Sequence, residues 1–144
     1  MKVVKAETPN DLKGILNFSD DSENYLSCTR MEWVQWLVQQ VGLKNDKLGV
    51  WVVRDDEQRM RGYMVAINSI FPLAASIMML YSSICNANSE EVNWLAIETL
   101  VNWGRTLGAK EIVLFSTHPD LSSKYGFERV DGIPMVLKIK KENE

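Results

Sequence analysis

The chain has 144 residues, of which 46% are hydrophobic and 24% charged, which predicts one soluble globular domain spanning residues 1–144. The net charge is −3, and basic residues form no cluster, which excludes a nucleic-acid partner. The longest apolar run, residues 69–84, is broken by Pro72 and by serines, so we expect no membrane span. A single histidine excludes a histidine-based metal cluster, and no metal site is expected.

The two cysteines, Cys28 and Cys85, have no metal-ligand spacing. They are interpreted as reduced thiols in or near the core of a cytosolic protein. No secretory signal pattern opens the sequence, so a cytoplasmic location is expected.

The first third of the chain predicts one strand and two helices. Residues 2–8 form the strand, and Thr8 then caps a helix in which Pro9 and Asp11 favour the first turn. One face of that helix is expected to carry the apolar residues Leu12, Ile15 and Leu16. After a polar, acidic loop at residues 18–27, Thr29 and Glu32 have capping-box spacing and open a helix that ends at Gly42.

The remainder predicts a meander of three strands at residues 48–55, 62–71 and 74–84. A long apolar helix follows from Ser89 to Leu107, stopped by Gly108, with Asn88 and Glu91 in approximate capping-box spacing. Residues 111–116 predict a fully buried strand in the centre of the sheet, and residues 133–141 the last strand. This order predicts an α+β (mixed α/β) domain with three layers and a parallel crossover through the long helix.

The order of elements, with "LVNWGRTLGAKEIVLFS" followed by "KYGFERV", resembles the GCN5-related N-acetyltransferase (GNAT) family over nearly the whole chain. The resemblance implies an acyl-CoA N-acyltransferase fold, whose central mixed sheet of about six or seven strands is flanked by helices. In this context Gly126 is expected to end a short helix in the left-handed conformation, and Phe127 to enter the core. Tyr125, next to Gly126, is expected to point away from the position of the family's catalytic acid.

The resemblance also implies a reaction: transfer of an acetyl group from acetyl-CoA to an amine of a small molecule or peptide. The pantetheine arm would pair with backbone groups at the end of the third meander strand, namely Ser82, Ser83, Ile84 and Cys85. The pyrophosphate would lie at the amino end of the long helix, beside Asn88 and Ser89, where unpaired N–H groups attract anions.

Two features depart from the family pattern. The stretch 88–93, "NSEEVN", lacks the glycines and the basic residue of the phosphate-binding loop, and Glu90 and Glu91 stand where phosphates would come. Ser122 occupies the position at which many members have a tyrosine that protonates the leaving thiolate, and a serine hydroxyl is a weaker acid. These departures keep open a second interpretation, a non-catalytic binding or dimerisation module, for which a homodimer is conceivable.

His118 follows the predicted buried strand at its carboxyl end, where the cleft of this fold opens. Histidine is the side chain whose unperturbed pKa lies near neutrality, so His118 could deprotonate an ammonium substrate, directly or through water. The alternative role is the capping of a helix or turn before Pro119.

The five tryptophans, together with the acidic run at residues 19–24, are the remaining candidates for an acceptor site. Most tryptophans are expected in the core, with Trp51 in a strand and Trp94 and Trp103 on the buried helix. The acidic run suits either a cationic amine or a solvated loop. A third interpretation drops the family and keeps an α+β domain of unknown role, in which the parallel strands would not splay apart.

Overall fold

The computed structural model describes residues 1–18, 28–68, 76–84, 89–114, 123–129, 137 and 139. In chain order its elements are β1 (Lys2–Lys5), 3₁₀ helices at Pro9–Leu12 and Ile15–Phe18, α1 (Arg30–Gly42), β2 (Leu48–Arg54), β3 (Met60–Asn68), β4 (Ser76–Ser82), α2 (Glu90–Thr106) and β5 (Glu111–Val113).

The strands form one sheet in the order β1-β2-β3-β4-β5. The pairs from β1 to β4 are antiparallel, and β4 with β5 is parallel, which confirms the predicted meander and the parallel crossover through α2. The described residues form five strands, fewer than the six or seven expected. The predicted last strand, residues 133–141, lies outside the described residues except for positions 137 and 139.

Each face of the sheet has its own hydrophobic core, because side chains along a strand alternate between the two faces. The cluster that includes α1 contains Leu37 and Tyr63, both fully buried. The cluster that includes α2 contains Trp51 and Leu100 on the opposite face. The domain is therefore a sheet between two helical layers, as predicted.

The first predicted helix is wrong in type: residues 9–18 form two short 3₁₀ helices instead of one α-helix. Thr8 is the N-cap, as predicted, and its N–H donates to Oδ2 of Asp11 at 3.0 Å. Gly14 then adopts φ +93°, which interrupts the helix, and Arg54 donates to the Lys13 carbonyl at 3.3 Å. Leu16, predicted on the apolar face, is consequently exposed.

Helix α1 begins and ends as predicted. The N–H of Glu32 donates to Oγ1 of Thr29 at 3.1 Å, and the N–H of Thr29 donates to Oε1 of Glu32 at 3.1 Å. These two bonds satisfy donors that a helix start leaves unpaired. The residues buried against the sheet are Trp33, Val34, Leu37 and Val41.

The strand predicted at residues 111–116 is shorter and less buried than expected. β5 spans Glu111–Val113, Glu111 is exposed, and the other two residues are half-buried. The exposed carboxylate of Glu111 is hydrogen-bonded: Ser76 Oγ donates to its Oε1 at 2.7 Å. A charged group of this kind is costly to bury, so it stays at the surface. In the part of the sheet that the structure describes, β5 is the last strand. Residues 115 and 116 and nearly all of the predicted last strand lie outside that part, so the central position of β5 stays a prediction.

The tryptophans divide between core and surface. Trp33 and Trp51 are buried, as the core interpretation expects. Trp103 is half-buried, and its ring meets that of Trp51 edge-on at a centroid separation of 4.9 Å. Trp94, predicted on the buried face of the long helix, is instead 46% exposed, because α2 turns its Val92 and Ala96 side towards the sheet.

The hydrogen bonds in the turn between β2 and β3 predict how the stability of the fold depends on pH. The backbone N–H groups of Arg59 and Glu57 each donate to Oδ1 of Asp55 at 2.9 Å, and Nε of Arg59 and of Arg61 lie 3.0 and 3.1 Å from Oδ2. These bonds, led by the backbone bond from Arg59, lower the pKa of Asp55 from 3.8 to about 2. The folded state therefore binds fewer protons than the unfolded state, and the stabilisation is lost as pH falls from about 5 towards 2.

Urea unfolding across that pH range is the measurement. Asp55→Asn is expected to be less stable than the wild type at neutral pH and to lose stability less steeply on acidification. Comparison of the two slopes isolates Asp55 from other carboxylates with a lowered pKa, such as Asp11 and Glu32. Equal slopes for the two proteins would contradict the role given to these bonds.

Candidate active site

The parallel strands β4 and β5 are joined over a short distance. Their ladder ends at the pair Met78 and Val113, and the next residue, Leu114, lies outside the strand. β4 continues along β3 as far as Ser82. In the described part of the chain, the carboxyl-terminal half of β4 therefore has a paired neighbour on one side only.

A β-bulge lies at the same place. Tyr81 opposes Val65 and Met79 opposes Ala66, so Leu80 is an extra residue of β4 that faces no residue of β3. Bulges bend a strand and increase its twist, and they are frequent beside active sites. Met79 and Leu80 are only half-buried, which is unusual inside a sheet and fits an accessible strand end.

The predicted donor-binding stretch begins at Ser82, the last residue of β4, and two of its serine hydroxyls accept hydrogen bonds from backbone N–H groups. The N–H of Ser83 donates to the Tyr63 carbonyl at 3.0 Å, and the N–H of Tyr63 donates to Ser83 Oγ at 3.1 Å. The N–H of Ile84 donates to Ser82 Oγ at 3.4 Å, and the Ile84 side chain is buried in the cluster that includes α2. Cys85, the fourth residue of the predicted stretch, lies outside the described residues.

Helix α2 begins beyond this stretch with Ser89 as its N-cap. Ser89 Oγ accepts a hydrogen bond from the N–H of Val92 at 3.4 Å. The cap is thus one residue later than the spacing of Asn88 and Glu91 suggested, because a serine hydroxyl there reaches an unpaired N–H of the first turn. Asn88 lies outside the described residues.

Two carboxylates occupy the first turn of α2, and one of them is ion-paired. Lys124 Nζ lies 3.0 Å from Glu90 Oε2, and both side chains are more than half exposed. The hydrogen bond and the charge of Glu90 raise the pKa of Lys124. Glu91 is exposed, and in the described part of the chain it makes no ion pair.

The residues at the start of α2 and at the end of β4 can be compared with the chemistry of acetyl-CoA, the donor that the family resemblance implies. The first-turn N–H groups would favour a diphosphate, but Glu90 and Glu91 would repel it, and Lys124 already neutralises one of them. The stretch of β4 from Met78 to Ser82 carries no charged side chain. The residues therefore fit the uncharged pantetheine arm of CoA better than they fit its diphosphate.

The turn at residues 123–126 packs on α2. The Tyr125 hydroxyl accepts a hydrogen bond from Nδ2 of Asn93 at 3.0 Å, and both residues are buried. The Tyr125 ring meets Trp94 edge-on at 5.1 Å. In the described part of the chain, Oδ1 of Asn93 is buried without a hydrogen-bond partner. The turn is thus held to the first two turns of α2 by Lys124 and by Tyr125.

The predictions for this turn are confirmed in part. Gly126 has φ +91°, as a left-handed helix stop requires, and its N–H donates to the Ser123 carbonyl at 3.1 Å. Phe127 is half-buried, so its expected place in the core is wrong. Tyr125 takes that interior position instead, because Asn93 supplies a partner for its hydroxyl.

The Asn93–Tyr125 bond predicts the effect of removing one partner or both. Tyr125→Phe should lower the free energy of unfolding by about 1–2 kcal/mol, because the buried Nδ2 of Asn93 loses its hydrogen-bond partner. Combining Tyr125→Phe with Asn93→Leu should recover most of that loss, since no polar group then remains buried. Equilibrium urea unfolding of the three proteins checks this, and a double variant less stable than Tyr125→Phe would contradict it.

An aromatic cluster lies on the α1 face of the sheet, next to the end of β4. Trp33 stacks on Trp36 at 5.5 Å, and Tyr63 stacks on Tyr81 at 4.9 Å. Trp33 Nε1 donates to the Tyr63 hydroxyl at 2.8 Å, which joins the two pairs. Trp36 is 37% exposed and is the accessible edge of a cluster whose other members are buried.

The structure locates some of the predicted site residues. β4 ends at Ser82, so Ser83 and Ile84 follow the strand instead of ending it, and Ser89 is the N-cap of α2. His118, Ser122 and the acidic run at residues 19–24 lie outside the described residues. The sequence did not single out Lys124 or Asn93, although Lys124 is the first residue of "KYGF" and Asn93 is the last residue of "NSEEVN".

Within the described residues, no group of three or more His, Cys, Asp or Glu side chains is arranged to hold a metal ion. None of the helices in that part of the chain combines the length and apolar character needed to cross a bilayer. The Cys28 side chain is half-buried.

Three solved acetyltransferase structures are similar to the chain over almost its whole length. Glucosamine-6-phosphate N-acetyltransferase from Arabidopsis thaliana is 13% identical, with a TM-score of 0.70 and coverage of 96% of this chain and 98% of that one. Aminoglycoside 6'-N-acetyltransferase AAC(6')-Ig from Acinetobacter haemolyticus is 12% identical, with a TM-score of 0.75 and coverage of 98% and 100%. AAC(6')-Iy, in complex with the bisubstrate analogue CoA-S-monomethyl-acetylneamine, is 13% identical, with a TM-score of 0.67 and coverage of 96% and 98%.

No protein-family model and no curated protein matches the chain. At such low identities, the similarity to solved structures concerns the fold. The chain has the fold of the GCN5-related N-acetyltransferases, and the resemblance recognised in its sequence is confirmed at that level.

Proposed function

We propose that the protein transfers an acetyl group from acetyl-CoA to an amine of a small molecule or peptide. The observation that carries the proposal is the end of the β4–β5 ladder at Met78 and Val113, while β4 continues to Ser82. A strand with one open side can pair with the amide groups of an extended ligand, as an added strand would. The neighbouring solved structures are acetyltransferases, and one of them holds a CoA-derived analogue.

The donor would contribute an acetyl thioester, and the chain would hold and orient it. In this proposal Ser82, Ser83, Ile84 and Cys85 bind the arm through their backbone, while Asn88 and Ser89 meet the far end of the donor. Ser89 supports that placement because its capped turn carries the first N–H groups of α2. His118 is proposed to deprotonate the acceptor ammonium, and Ser122 takes the position from which the thiolate would be protonated.

The acceptor is proposed to bind on the α1 side of β4. The aromatic cluster supports this, since Tyr81 belongs to the cluster and adjoins Ser82 in β4. Trp36 offers a partly exposed aromatic face on which a cation or a sugar ring could pack. The solved neighbours named for glucosamine-6-phosphate and for aminoglycosides are consistent with an amine on a small polar molecule.

Isothermal titration with acetyl-CoA, followed by a thiol-release assay over a panel of amines, tests the proposal. We expect binding of acetyl-CoA together with release of free CoA in the presence of at least one amine. No heat and no thermal shift at about 1 mM acetyl-CoA, which corresponds to a binding free energy weaker than about −4 kcal/mol, would refute it.

The second candidate is a non-catalytic module of the same fold, and the pair Glu90 and Glu91 at the start of α2 favours it. A chain that does not bind a diphosphate has no need to keep that helix end free of negative charge. Restoring a glycine- and arginine-containing loop at residues 88–93 should then create CoA binding that the wild type lacks. Turnover of any amine by the wild type would rule this candidate out.

A further inference from the structure

The contact between Ser83 and Tyr63 differs from an ordinary antiparallel pair. Two residues in a hydrogen-bonded pair normally exchange two backbone bonds. Ser83 makes the first, from its N–H to the Tyr63 carbonyl at 3.0 Å. The second is replaced, because the Tyr63 N–H donates to the Ser83 hydroxyl oxygen at 3.1 Å. In the described part of the chain, the Ser83 carbonyl oxygen accepts no hydrogen bond.

Both sides of this contact are fixed by packing. Tyr63 is fully buried, so its N–H requires a partner, and a buried N–H without one is costly. Ile84 follows Ser83 and is also buried, which anchors the chain as it leaves β4. The Ser83 hydroxyl thus accepts the hydrogen bond of the Tyr63 N–H, which the Ser83 carbonyl would otherwise accept.

We propose that Ser83 is a positioning residue for the acyl donor: its hydroxyl occupies the ladder bond and leaves its carbonyl to accept an amide N–H of the pantetheine arm. The inference rests on the proposed function. The arm is the part of the donor that carries secondary amides. Ser83 directly follows Ser82, the last residue of β4, and both lie beyond the point at which the β4–β5 ladder ends. A hydroxyl side chain at this position therefore sets the affinity for the donor without touching it.

Substitution of Ser83 tests this directly. In Ser83→Ala the Tyr63 N–H has only the Ser83 carbonyl to bond, so the ladder closes and the acceptor for the arm is lost. The dissociation constant for acetyl-CoA, measured by titration calorimetry, should rise about tenfold, the effect of one hydrogen bond. Ser83→Thr keeps the hydroxyl and should retain the wild-type affinity, which a general packing defect at this position would not allow.

The closure can be observed without any ligand. The scalar coupling between the Tyr63 nitrogen and the Ser83 carbonyl carbon, transmitted across a hydrogen bond, should be absent from NMR spectra of the wild type and present in Ser83→Ala. Ser76→Ala is the matched control, because that hydroxyl bonds to Glu111 at the opposite end of the same strand. Its affinity for acetyl-CoA should equal that of the wild type.

The outcomes separate this inference from the proposed function. Wild-type binding that Ser83→Ala leaves unchanged would remove the role of Ser83 alone, and so would a Tyr63–Ser83 coupling already present in the wild type. A wild type that binds no acetyl-CoA would instead overturn the proposed function, and the role of Ser83 towards the donor with it.

Discussion

Gly49→Ala is expected to lower the free energy of unfolding by about 2–3 kcal/mol. A Cβ at position 49 would lie 2.6 Å from Cζ3 of Trp51 and closer still to Cη2. The indole cannot retreat freely, because it is 3% exposed and packs edge-on against Trp103 at 4.9 Å. Equilibrium unfolding in urea, followed by tryptophan fluorescence, measures the loss.

The same substitution in a Trp51→Leu variant shows whether the Trp51 indole causes the loss of stability. In a Trp51→Leu protein the ring is absent, so adding Gly49→Ala should change stability by no more than about 0.5 kcal/mol. The two substitutions are therefore expected to be strongly non-additive. Additive losses would show that something other than the Trp51 ring excludes a side chain at position 49.

Local signals were sufficient to predict α1 and α2 to within one residue at each end. Thr29 and Ser89 supply caps, and helical periodicity covers the residues between the ends. The first helix was wrong because its form depends on a distant residue. Arg54, on β2, donates to the carbonyls of Asp11 and Lys13, and no pattern within residues 8–18 reveals that contact.

The candidate site was predictable where it follows from the order of elements, and unpredictable where it depends on side-chain contacts. From strand and helix patterns alone, the end of β4 was predicted two residues too late, at Ile84 instead of Ser82, and the start of α2 one residue early, at Ser89 instead of Glu90. The Lys124–Glu90 pair joins residues 34 positions apart, and the Asn93–Tyr125 bond joins residues 32 apart. These contacts depend on where the turn at residues 123–126 lands on α2, which no local spacing specifies.

A contact with α2 also decides which of the two aromatic residues, Tyr125 or Phe127, is buried. The aromatic residue after Gly126, Phe127, was the natural choice for the core. The structure buries Tyr125 instead, because a buried phenol hydroxyl is tolerated when a partner is present, and Asn93 provides one. Only the position of Asn93 on α2 decides which aromatic ring is buried.

Replacing both first-turn carboxylates of α2 should strengthen acetyl-CoA binding. Each negative charge near a diphosphate in a wet site opposes binding by about 1 kcal/mol, so Glu90→Gln with Glu91→Gln should lower the dissociation constant by roughly 30-fold. Glu90→Gln acts twice, since it also releases Lys124 from its ion pair at 3.0 Å. Titration calorimetry at low ionic strength measures the change, which added salt should reduce.

The stability of the same variant should move in the opposite direction. Carboxylates in the first turn interact favourably with the helix dipole, so their loss should destabilise the fold by about 0.5–1 kcal/mol. Glu98→Gln is the matched control: it removes an exposed carboxylate from the same helix, eight residues from Glu90 and so about 12 Å along the axis, where its repulsion of a diphosphate at the helix end is weaker. Tighter binding with lower stability, seen only in the first-turn variant, would place the diphosphate at this helix end. Unchanged affinity in that variant would mean that the far end of the donor lies elsewhere.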